Sequence, residues 1–307
     1  MNKMKHYRRF LLLLTIMLAV TFANAQTVIV KDSITNEPIP FVSVYFGNDT
    51  GGYTDEKGMI AIPNEAAQMR LSHICYETKS IFKITADSQT IFLAPISINL
   101  DEVDVSAKAP KLIKTTKVGL MKAKTQTKHK GANGFEMALF IPYDNTWTET
   151  PYIHSILASL DYSTHYLVFT EIKNPIYATL RFDLRLPDAK TNAPKDKSII
   201  GGGIILPSSQ RLGKDGIRLS HSIPFPQTGV FVVVEWITTA QVSESYNLVP
   251  SLNMTLDEKE NRTWNKKTFR GMDWMQEQNE SAFQNEEAQV FYKGRTPSAK
   301  LGLKISK

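Results

Sequence analysis

The sequence predicts an all-β protein built from two consecutive β-sandwiches. Short runs rich in β-branched and aromatic residues recur along the chain, separated by clusters of Gly, Pro, Asn, Asp and Ser that favour turns. No stretch shows the clean 3.6-residue spacing of an amphipathic helix. A chain of 307 residues is also long enough for two domains of ordinary size, each with its own core.

The first 25 residues have the composition of a secretory signal peptide. Four basic residues precede position 10, an apolar run covers residues 10–22, and Ala23-Asn24-Ala25 is typical of a cleavage site. The apolar run is shorter than the ~20 residues that a membrane-spanning helix needs. We therefore expect a mature chain that starts at Gln26 and is exported to the periplasm, the outer membrane or the cell surface.

The charge of the mature chain is close to balanced. The whole sequence holds 36 basic and 30 acidic residues, and the signal peptide accounts for four of the basic ones, which leaves a net charge of +2. This balance argues against nucleic-acid binding. No second apolar run approaches ~18 residues, so we expect no transmembrane segment after the signal peptide. The only cysteine is Cys75, which excludes an intramolecular disulfide and has no role that the sequence reveals.

Residues 26–105 are expected to form the first sandwich. Gly47–Gly52 is predicted to form a long turn. Thr54–Gly58 is predicted to form a tight turn in which Gly58 adopts a positive φ angle. Six runs have the length and alternation of strands: Thr27–Val30, Phe41–Phe46, Met59–Ile62, Met69–Ile74, Ser80–Ile84 and Gln89–Leu93.

The predicted strands and turns resemble those of a known protein family over about 80 residues. The matching pieces are Val30-Lys31-Asp32, 38–44 (PIPFVSV), 51–58 (GGYTDEKG), 71–76 (LSHICY) and 100–105 (LDEVDV). Together they resemble the carboxypeptidase regulatory-like domain, a transthyretin-like sandwich that often precedes other modules in Gram-negative envelope proteins. The resemblance implies an accessory module rather than a catalyst. One departure is Cys75, which stands where the family usually has glycine, so this strand end is expected to bend differently.

The resemblance also extends to TonB-dependent receptors, in which the 100–105 motif leads into a plug and a 22-stranded barrel. Only about 200 residues follow the motif in this sequence. A barrel of that kind needs 22 strands of ~9–11 residues each. The sequence therefore predicts a second sandwich after the motif, not a transporter barrel.

A lysine-rich segment, residues 106–134, separates the two predicted sandwiches. It holds eight lysines and no acidic residue. One interpretation is contact with an anionic surface such as lipopolysaccharide or an acidic glycan. The other is a solvated linker with an edge strand that its lysines protect from aggregation, and we favour it.

Residues 135–307 are expected to form a jelly-roll-like sandwich of eight or nine strands. In Ile176–Leu186, apolar residues alternate with Arg181, Asp183 and Arg185, which predicts a strand with a charged outer face. Val230–Ile237 is apolar except for Glu235, which is typical of a central strand covered on both sides. The other predicted strands are Tyr166–Ile172, Ile199–Leu206, Gly216–Ile223, Gln289–Tyr292 and Leu301–Ile305. Residues 273–288 are expected to form a loop.

No catalytic or metal-binding motif with a recognisable spacing occurs, so we expect no cofactor and no metal. The histidines of the second region, His129, His154, His165 and His221, are scattered, and His73 with Glu77 lacks the spacing of a zinc carboxypeptidase. Four carboxylates could supply the pair that a glycoside hydrolase uses: Glu171, Asp183, Glu235 and Asp273. Each is also explained as a charge on a strand face.

Aromatic residues beside polar turns are the better functional candidates. Carbohydrate-binding sandwiches stack sugar rings on exposed aromatic side chains. The candidates in this sequence are Trp147, Tyr152, Trp264 and Trp274, followed by Tyr162 and Tyr292. The sequence therefore predicts a non-enzymatic envelope protein whose second sandwich binds a glycan or a protein partner. The alternative is a carbohydrate-active enzyme that uses carboxylates of the second sandwich.

Overall fold

The computed structural model describes residues 26–84, 89–96, 114–162, 178–207, 210–238, 250–277 and 295–306. These residues form strands and turns, with one short 3-10 helix at Thr268–Arg270 and no α-helix among them. The all-β prediction is confirmed. Within the same ranges, no helix has the length and apolar character needed to cross a membrane.

Several predictions fall outside the described residues. They concern the signal peptide at 1–25, the motif at 100–105, and the strands expected at Tyr166–Ile172 and Gln289–Tyr292. The first part of the lysine-rich segment, up to residue 113, and most of the loop expected at 273–288 also fall there.

The N-terminal body is made up of the described residues between 26 and 96, which form two sheets that pack face to face. Its strands are β1 Thr27–Asp32, β2 Ser43–Gly47, β3 Thr50–Tyr53, β4 Met59–Ala61, β5 Met69–His73, β6 Tyr76–Ile81 and β7 Gln89–Leu93. One sheet has the order β4-β1-β7, and the other has the order β3-β2-β5-β6. Because side chains alternate along a strand, one apolar set from each sheet meets the other, including Val28, Val30, Val44, Leu71 and Ile91.

One turn of this body is shorter than predicted. Gly47–Gly52 was expected to be a long turn, but β2 and β3 pair from Gly47 to Thr50, so only Asn48 and Asp49 connect them. Both residues have positive φ angles, 50° and 57°. Asn and Asp tolerate that conformation, and two such residues give the turn whose twist suits a hairpin. The expected positive φ of Gly58 is observed at 71°.

The C-terminal body is made up of the described residues between 114 and 306, which form three sheets around one core. Its strands are β8 Thr115–Gly119, β9 Thr127–Lys130, β10 Phe135–Ile141, β11 Tyr152–Ala158, β12 Leu160–Asp161, β13 Thr179–Pro187, β14 Pro194–Ser198, β15 Ile204–Leu206, β16 Ile217–Pro224, β17 Val230–Ile237, β18 Ser251–Thr255, β19 Thr263–Lys267, β20 Met275–Gln276, β21 Ser298–Ala299 and β22 Leu301–Ser306.

The largest sheet of this body has seven strands in the order β14-β13-β17-β10-β19-β20, with β15 also paired to β13. A sheet with the order β16-β11-β22-β8 packs against it and is called the four-stranded sheet below. The short strands β12, β18, β21 and β9 form the third sheet. Leu139, Val232, Ile156 and Leu303 are among the fully buried residues where the layers meet. The predicted central strand at Val230–Ile237 is observed as β17, which is buried along its whole length.

Two strands lie within the stretch interpreted as a lysine-rich linker or edge segment. β8 forms the edge of the four-stranded sheet through its pairing with β22, and β9 pairs with β18. Leu120, which follows β8, belongs to the core of the C-terminal body. The core of this body therefore begins well before residue 135.

The outer face of β13 differs from its prediction. Arg181, Asp183 and Arg185 were expected to face solvent, but they are only 5%, 1% and 5% exposed. The period-two pattern placed them correctly on the side opposite the core. They are nevertheless buried, because the N-terminal body and neighbouring aromatic side chains cover that side of the sheet.

Candidate functional site

The outer face of the seven-stranded sheet carries a row of four charged residues. Residues paired directly across neighbouring antiparallel strands share a face. Arg181 on β13 pairs with Glu235 on β17, Glu235 pairs with Glu136 on β10, and Glu136 pairs with Lys266 on β19. The residues that alternate with them, such as Val234, face the core. The row therefore lies on the side of the sheet away from that core.

Ion pairs join this row into a buried charge cluster, which we define as Glu136, Arg181, Asp183, Arg185 and Glu235. Arg181 Nη1 lies 3.2 Å from Glu235 Oε2, and Arg185 Nη1 lies 3.1 Å from Glu136 Oε2. Arg185 Nε also contacts Asp183 Oδ2 at 2.7 Å. The three carboxylates are at most 4% exposed. Buried charges are tolerated only when they are paired, so each member depends on its neighbours.

The N-terminal body seals one end of the buried charge cluster. Tyr53, at the end of β3, is 1% exposed and donates a 2.6 Å hydrogen bond from its hydroxyl to Glu235 Oε1. Its ring packs edge-on against Phe269, with 5.1 Å between the ring centroids. Ile237 and Tyr45 join the same apolar contact. The two bodies therefore share one continuous polar and apolar interface.

A second hydrogen bond between the bodies involves an unusual backbone conformation. Phe41 has a φ angle of 57°, which is rare for a bulky residue and costs free energy. Its carbonyl oxygen accepts a 2.7 Å hydrogen bond from Nη2 of Arg181. Hydrogen bonds from charged donors are the stronger ones, so this contact helps to offset the strain.

The two neighbouring glutamates of the cluster have pKa values displaced in opposite directions. Burial raises the pKa of Glu235, and the adjacent Glu136 adds to that rise, while Arg181 only partly offsets it. Burial also acts on Glu136, but Arg185 and Lys266 outweigh it and lower the pKa of that carboxyl. Such a divergence is typical of acid and base pairs in enzymes. Here both carboxylates are closed off from solvent and bound to arginines.

The structure brings together two of the four carboxylates proposed for a glycoside hydrolase. Asp183 and Glu235 both belong to the buried charge cluster, whereas Asp273 is exposed and Glu171 lies outside the described residues. Glu136 was missed by the sequence analysis. The signal was present, since Glu136 is the single charge in the apolar strand β10, as Glu235 is in β17.

Beside the buried charge cluster lies an aromatic patch, defined as Phe140, Phe231, Trp264 and Trp274. These side chains pack around Ala138 and Val233 on the same outer face. The rings of Phe140 and Phe231 are 5.1 Å apart, and those of Phe231 and Trp264 are 6.2 Å apart.

Two of the predicted binding residues, Trp264 and Trp274, therefore meet in one patch. Both remain partly exposed.

Polar groups surround the exposed part of the aromatic patch. Arg185 Cζ and Lys266 Nζ lie 5.7 Å and 5.8 Å from the ring centroid of Trp274, which is within the range of a cation–π contact. The indole Nε1 of Trp274 is buried and has no hydrogen-bond acceptor among the described residues. The exposed Gln276 is the direct cross-strand partner of Trp264. An aromatic surface beside an exposed amide suits a polar ring such as a sugar.

The other predicted aromatic residues lie elsewhere. Trp147 packs edge-on against Tyr143 and Phe225, at 4.9 Å and 5.0 Å between ring centroids, beside the core. Tyr152 begins β11 in the four-stranded sheet. Tyr162 accepts a hydrogen bond from the backbone of residue 212, and Tyr292 lies outside the described residues. The predicted aromatic residues therefore do not form a single site.

The histidines do not converge. His129 stacks on Phe135, His154 contacts Ser222, His221 is exposed, and His165 lies outside the described residues. Across the ranges that the structure describes, no three His, Cys, Asp or Glu side chains are grouped so as to hold a metal ion.

We expect the stability of the protein to fall as the pH drops from 6.5 to 4. Burial, with a contribution from Lys267, lowers the pKa of His129 to about 4, and burial lowers that of His73 to about 3. In this pH range the unfolded chain therefore binds more protons than the folded one, which favours unfolding. Urea titrations at pH 7.5 and 4.5 should differ by about 2 kcal/mol for His129 alone.

The variant His129→Gln should reduce this pH dependence, and the exposed His221→Gln should leave it unchanged. The same slope in the wild type and in His129→Gln would show that His129 titrates normally in the folded protein.

Comparison with known proteins gave no match to this chain, either among protein-family models or among curated proteins.

Proposed function

We propose that this chain is an exported, non-catalytic cell-envelope protein that binds a glycan on the aromatic patch. The observation that carries the proposal is the meeting of Trp264 and Trp274 on one partly exposed surface, next to the amide of Gln276. Flat aromatic faces bind the apolar side of a sugar ring, and the neighbouring amide binds its hydroxyl groups.

The state of the carboxylates supports a binding role over the glycoside hydrolase alternative. A hydrolase needs two carboxylates that reach the substrate. Asp183, Glu136 and Glu235 are instead engaged with arginines, and Tyr53 of the N-terminal body covers Glu235. The diverging pKa values of Glu136 and Glu235 follow from burial and from their charged neighbours.

The assignments of family and compartment complete the proposal. We infer that the N-terminal body is a carboxypeptidase regulatory-like accessory domain and that the C-terminal body is a jelly-roll-like sandwich. The two face-to-face sheets of residues 26–96 support the first assignment, and the layered sheets around one core support the second. Export, to the periplasm or the surface, rests on the sequence of the first 25 residues.

A glycan array probed with the purified protein tests the binding role. We expect a defined subset of neutral or acidic glycans to bind, and titration of the best of them to give a saturable curve. Trp274→Ala and Trp264→Ala should each weaken that binding at least tenfold, because truncating a central tryptophan of a binding surface typically costs more than ~1.4 kcal/mol.

Trp147→Phe is the matched control, since Trp147 lies in the connection between β10 and β11 and packs against the core rather than on the aromatic patch. It should bind with the affinity of the wild type. A flat array, or equal losses in all three variants, would count against the aromatic patch as a glycan site.

A further inference from the structure

The outer face of the four-stranded sheet carries a row of basic residues. Lys117 on β8 pairs with Lys304 on β22, Lys304 pairs with Ser155 on β11, and Ser155 pairs with Arg218 on β16. The next row, Val118, Leu303, Ile156 and Ile217, packs on the core. Because side chains alternate along strands, the basic row points away from the core, on the side of the body opposite the aromatic patch.

This row is electrostatically unfavourable in the absence of a ligand. Neighbouring strands lie about 5 Å apart, so Lys117 and Lys304 are like charges in directly opposite positions, which destabilises a sheet. Among the described residues, Lys117 Nζ donates a 3.3 Å hydrogen bond to the carbonyl oxygen of Lys214, and Lys304 Nζ lies 3.2 Å from a carboxylate oxygen of Asp215. The side chain of Asp215 is 88% exposed, and ion pairs at that exposure contribute little. A bound anion would relieve the repulsion.

A β-bulge places a buried histidine beside this row. On β11, His154 is an extra residue between Ile153 and Ser155, whose partners on β22 are consecutive. On β16, the partners of Ile153 and Ser155 are Ile223 and Arg218, so four residues stand opposite the bulge. Bulges of this kind re-aim side chains and are common beside functional sites.

The histidine of the bulge has one unpartnered nitrogen. His154 is 8% exposed, and its Nδ1 lies 2.5 Å from the hydroxyl oxygen of Ser222. Its Nε2 is buried without a hydrogen-bond partner among the described residues. When Ser222 donates to Nδ1, the neutral ring carries its proton on Nε2 and offers a donor. Ser155, the residue after the histidine, is the direct cross-strand partner of both Arg218 and Lys304. Burial lowers the pKa of His154, and the positive charges of Arg218 and Lys304 lower it further.

We propose that Arg218, Lys304 and His154 bind a tetrahedral oxyanion, the phosphate or sulfate group of a larger ligand. The guanidinium of Arg218 and the ammonium of Lys304 supply the charge, and Nε2 of His154 supplies a directed hydrogen bond. Lys117 extends the basic row by one further strand, so it can pair with a second anionic group on the same ligand. This site is separate from the aromatic patch and does not depend on it.

Titration of the full chain with sodium phosphate and sodium sulfate tests the site. The imidazole ¹⁵N signals report directly on His154, which His154→Asn identifies among the six histidines of the chain. We expect a saturable shift of the His154 signals, with a dissociation constant in the millimolar range for these small ions. Arg218→Gln and Lys304→Gln should each weaken binding at least fivefold.

The control is Lys259→Gln, an exposed lysine in the connection between β18 and β19. It should leave the affinity unchanged, as should Trp274→Ala. A shift that sodium chloride reproduces at equal ionic strength, or that Arg218→Gln and Lys304→Gln leave intact, would overturn the proposal.

Two further probes separate the sources of the anionic group. Glucose 6-phosphate represents a phosphorylated saccharide, and vesicles of phosphatidylglycerol represent a lipid surface. We expect the probe that the basic row recognises to bind at least tenfold more tightly than inorganic phosphate. If neither does, the oxyanion is not bound as part of a larger ligand, which contradicts the proposal.

Discussion

Arg181→Met is expected to lower the free energy of unfolding by about 3–5 kcal/mol and to uncouple the two bodies of the protein. Arg181 forms the ion pair with Glu235 and also donates to the carbonyl of Phe41. Without the guanidinium, Glu235 remains buried with only the Tyr53 hydroxyl as a partner. A buried carboxylate that loses its cation must either take up a proton or move to a position where water solvates it. Either change lowers the free energy of unfolding.

Arg185→Met provides the matched comparison. Arg185 is buried to the same extent as Arg181, and its ion pairs are with Glu136 and Asp183. All three residues belong to the C-terminal body. We therefore expect a loss of stability of similar size, about 3–5 kcal/mol, without uncoupling of the bodies.

The distribution of tryptophans makes uncoupling measurable. All four, Trp147, Trp236, Trp264 and Trp274, lie in the C-terminal body, so tryptophan fluorescence follows that body alone. Far-ultraviolet circular dichroism follows the strands of both bodies. The two signals should change together during urea unfolding of the wild type and of Arg185→Met, and they should separate for Arg181→Met.

Lys128→Met serves as the control for a surface charge. Lys128 pairs with Asp161 and is 45% exposed, so its loss should cost less than about 1 kcal/mol. Coincident transitions in Arg181→Met, or a loss of stability no larger than that of Lys128→Met, would contradict the role given to the buried charge cluster.

The sequence was informative about strands whose pattern depends on local chemistry. Alternation along residues 176–186 and the apolar run at 230–237 predicted β13 and β17, and the observed strands agree closely. Both signals arise within a single strand, because burial on one face or on both leaves its period in the sequence.

The buried charge cluster could not be predicted in the same way. The pattern of β13 shows only that Arg181 and Arg185 face away from the core, and solvent is the usual surroundings of such a face. The burial of Arg181 depends on a contact with Phe41, which lies 140 residues earlier in the chain and accepts its hydrogen bond. A contact between segments so far apart leaves no pattern in the local sequence.

The candidate sites show the same division. Trp264 and Trp274 were chosen for their residue type and polar neighbours, and they do share a patch, but nothing in the sequence separated them from Trp147. The basic row across β8, β22, β11 and β16 joins residues from four distant segments. Its register depends on a bulge at His154 that the sequence does not reveal.

Gly216 directly precedes β16, and its backbone conformation and close neighbours leave no room for a side chain. Gly216 has a φ angle of 71°, and a Cβ placed on it would collide with the carbonyl oxygen of Ile156 and with the side chain of Leu157. Left-handed backbone costs an alanine about 1–2 kcal/mol, and a forced shift of packed backbone adds a similar amount. Gly216→Ala should therefore lower the free energy of unfolding by about 2–5 kcal/mol.

Gly213→Ala is the matched control, because a Cβ at Gly213 meets no atom within 4 Å. Its unfolding free energy should stay within about 0.5 kcal/mol of the wild-type value, as for most surface substitutions. Urea titrations of both variants measure the difference.

Because Ile217 pairs with Ile156 and Arg218 pairs with Ser155, relief of the collision at Gly216 must move β16 relative to β11. That movement displaces Arg218 from its position opposite Ser155, beside the bulge at His154. Gly216→Ala should therefore weaken phosphate binding as well as stability, whereas Gly213→Ala should preserve both. A variant that loses stability and still binds phosphate with the wild-type affinity would mean that the register of β16 does not position Arg218.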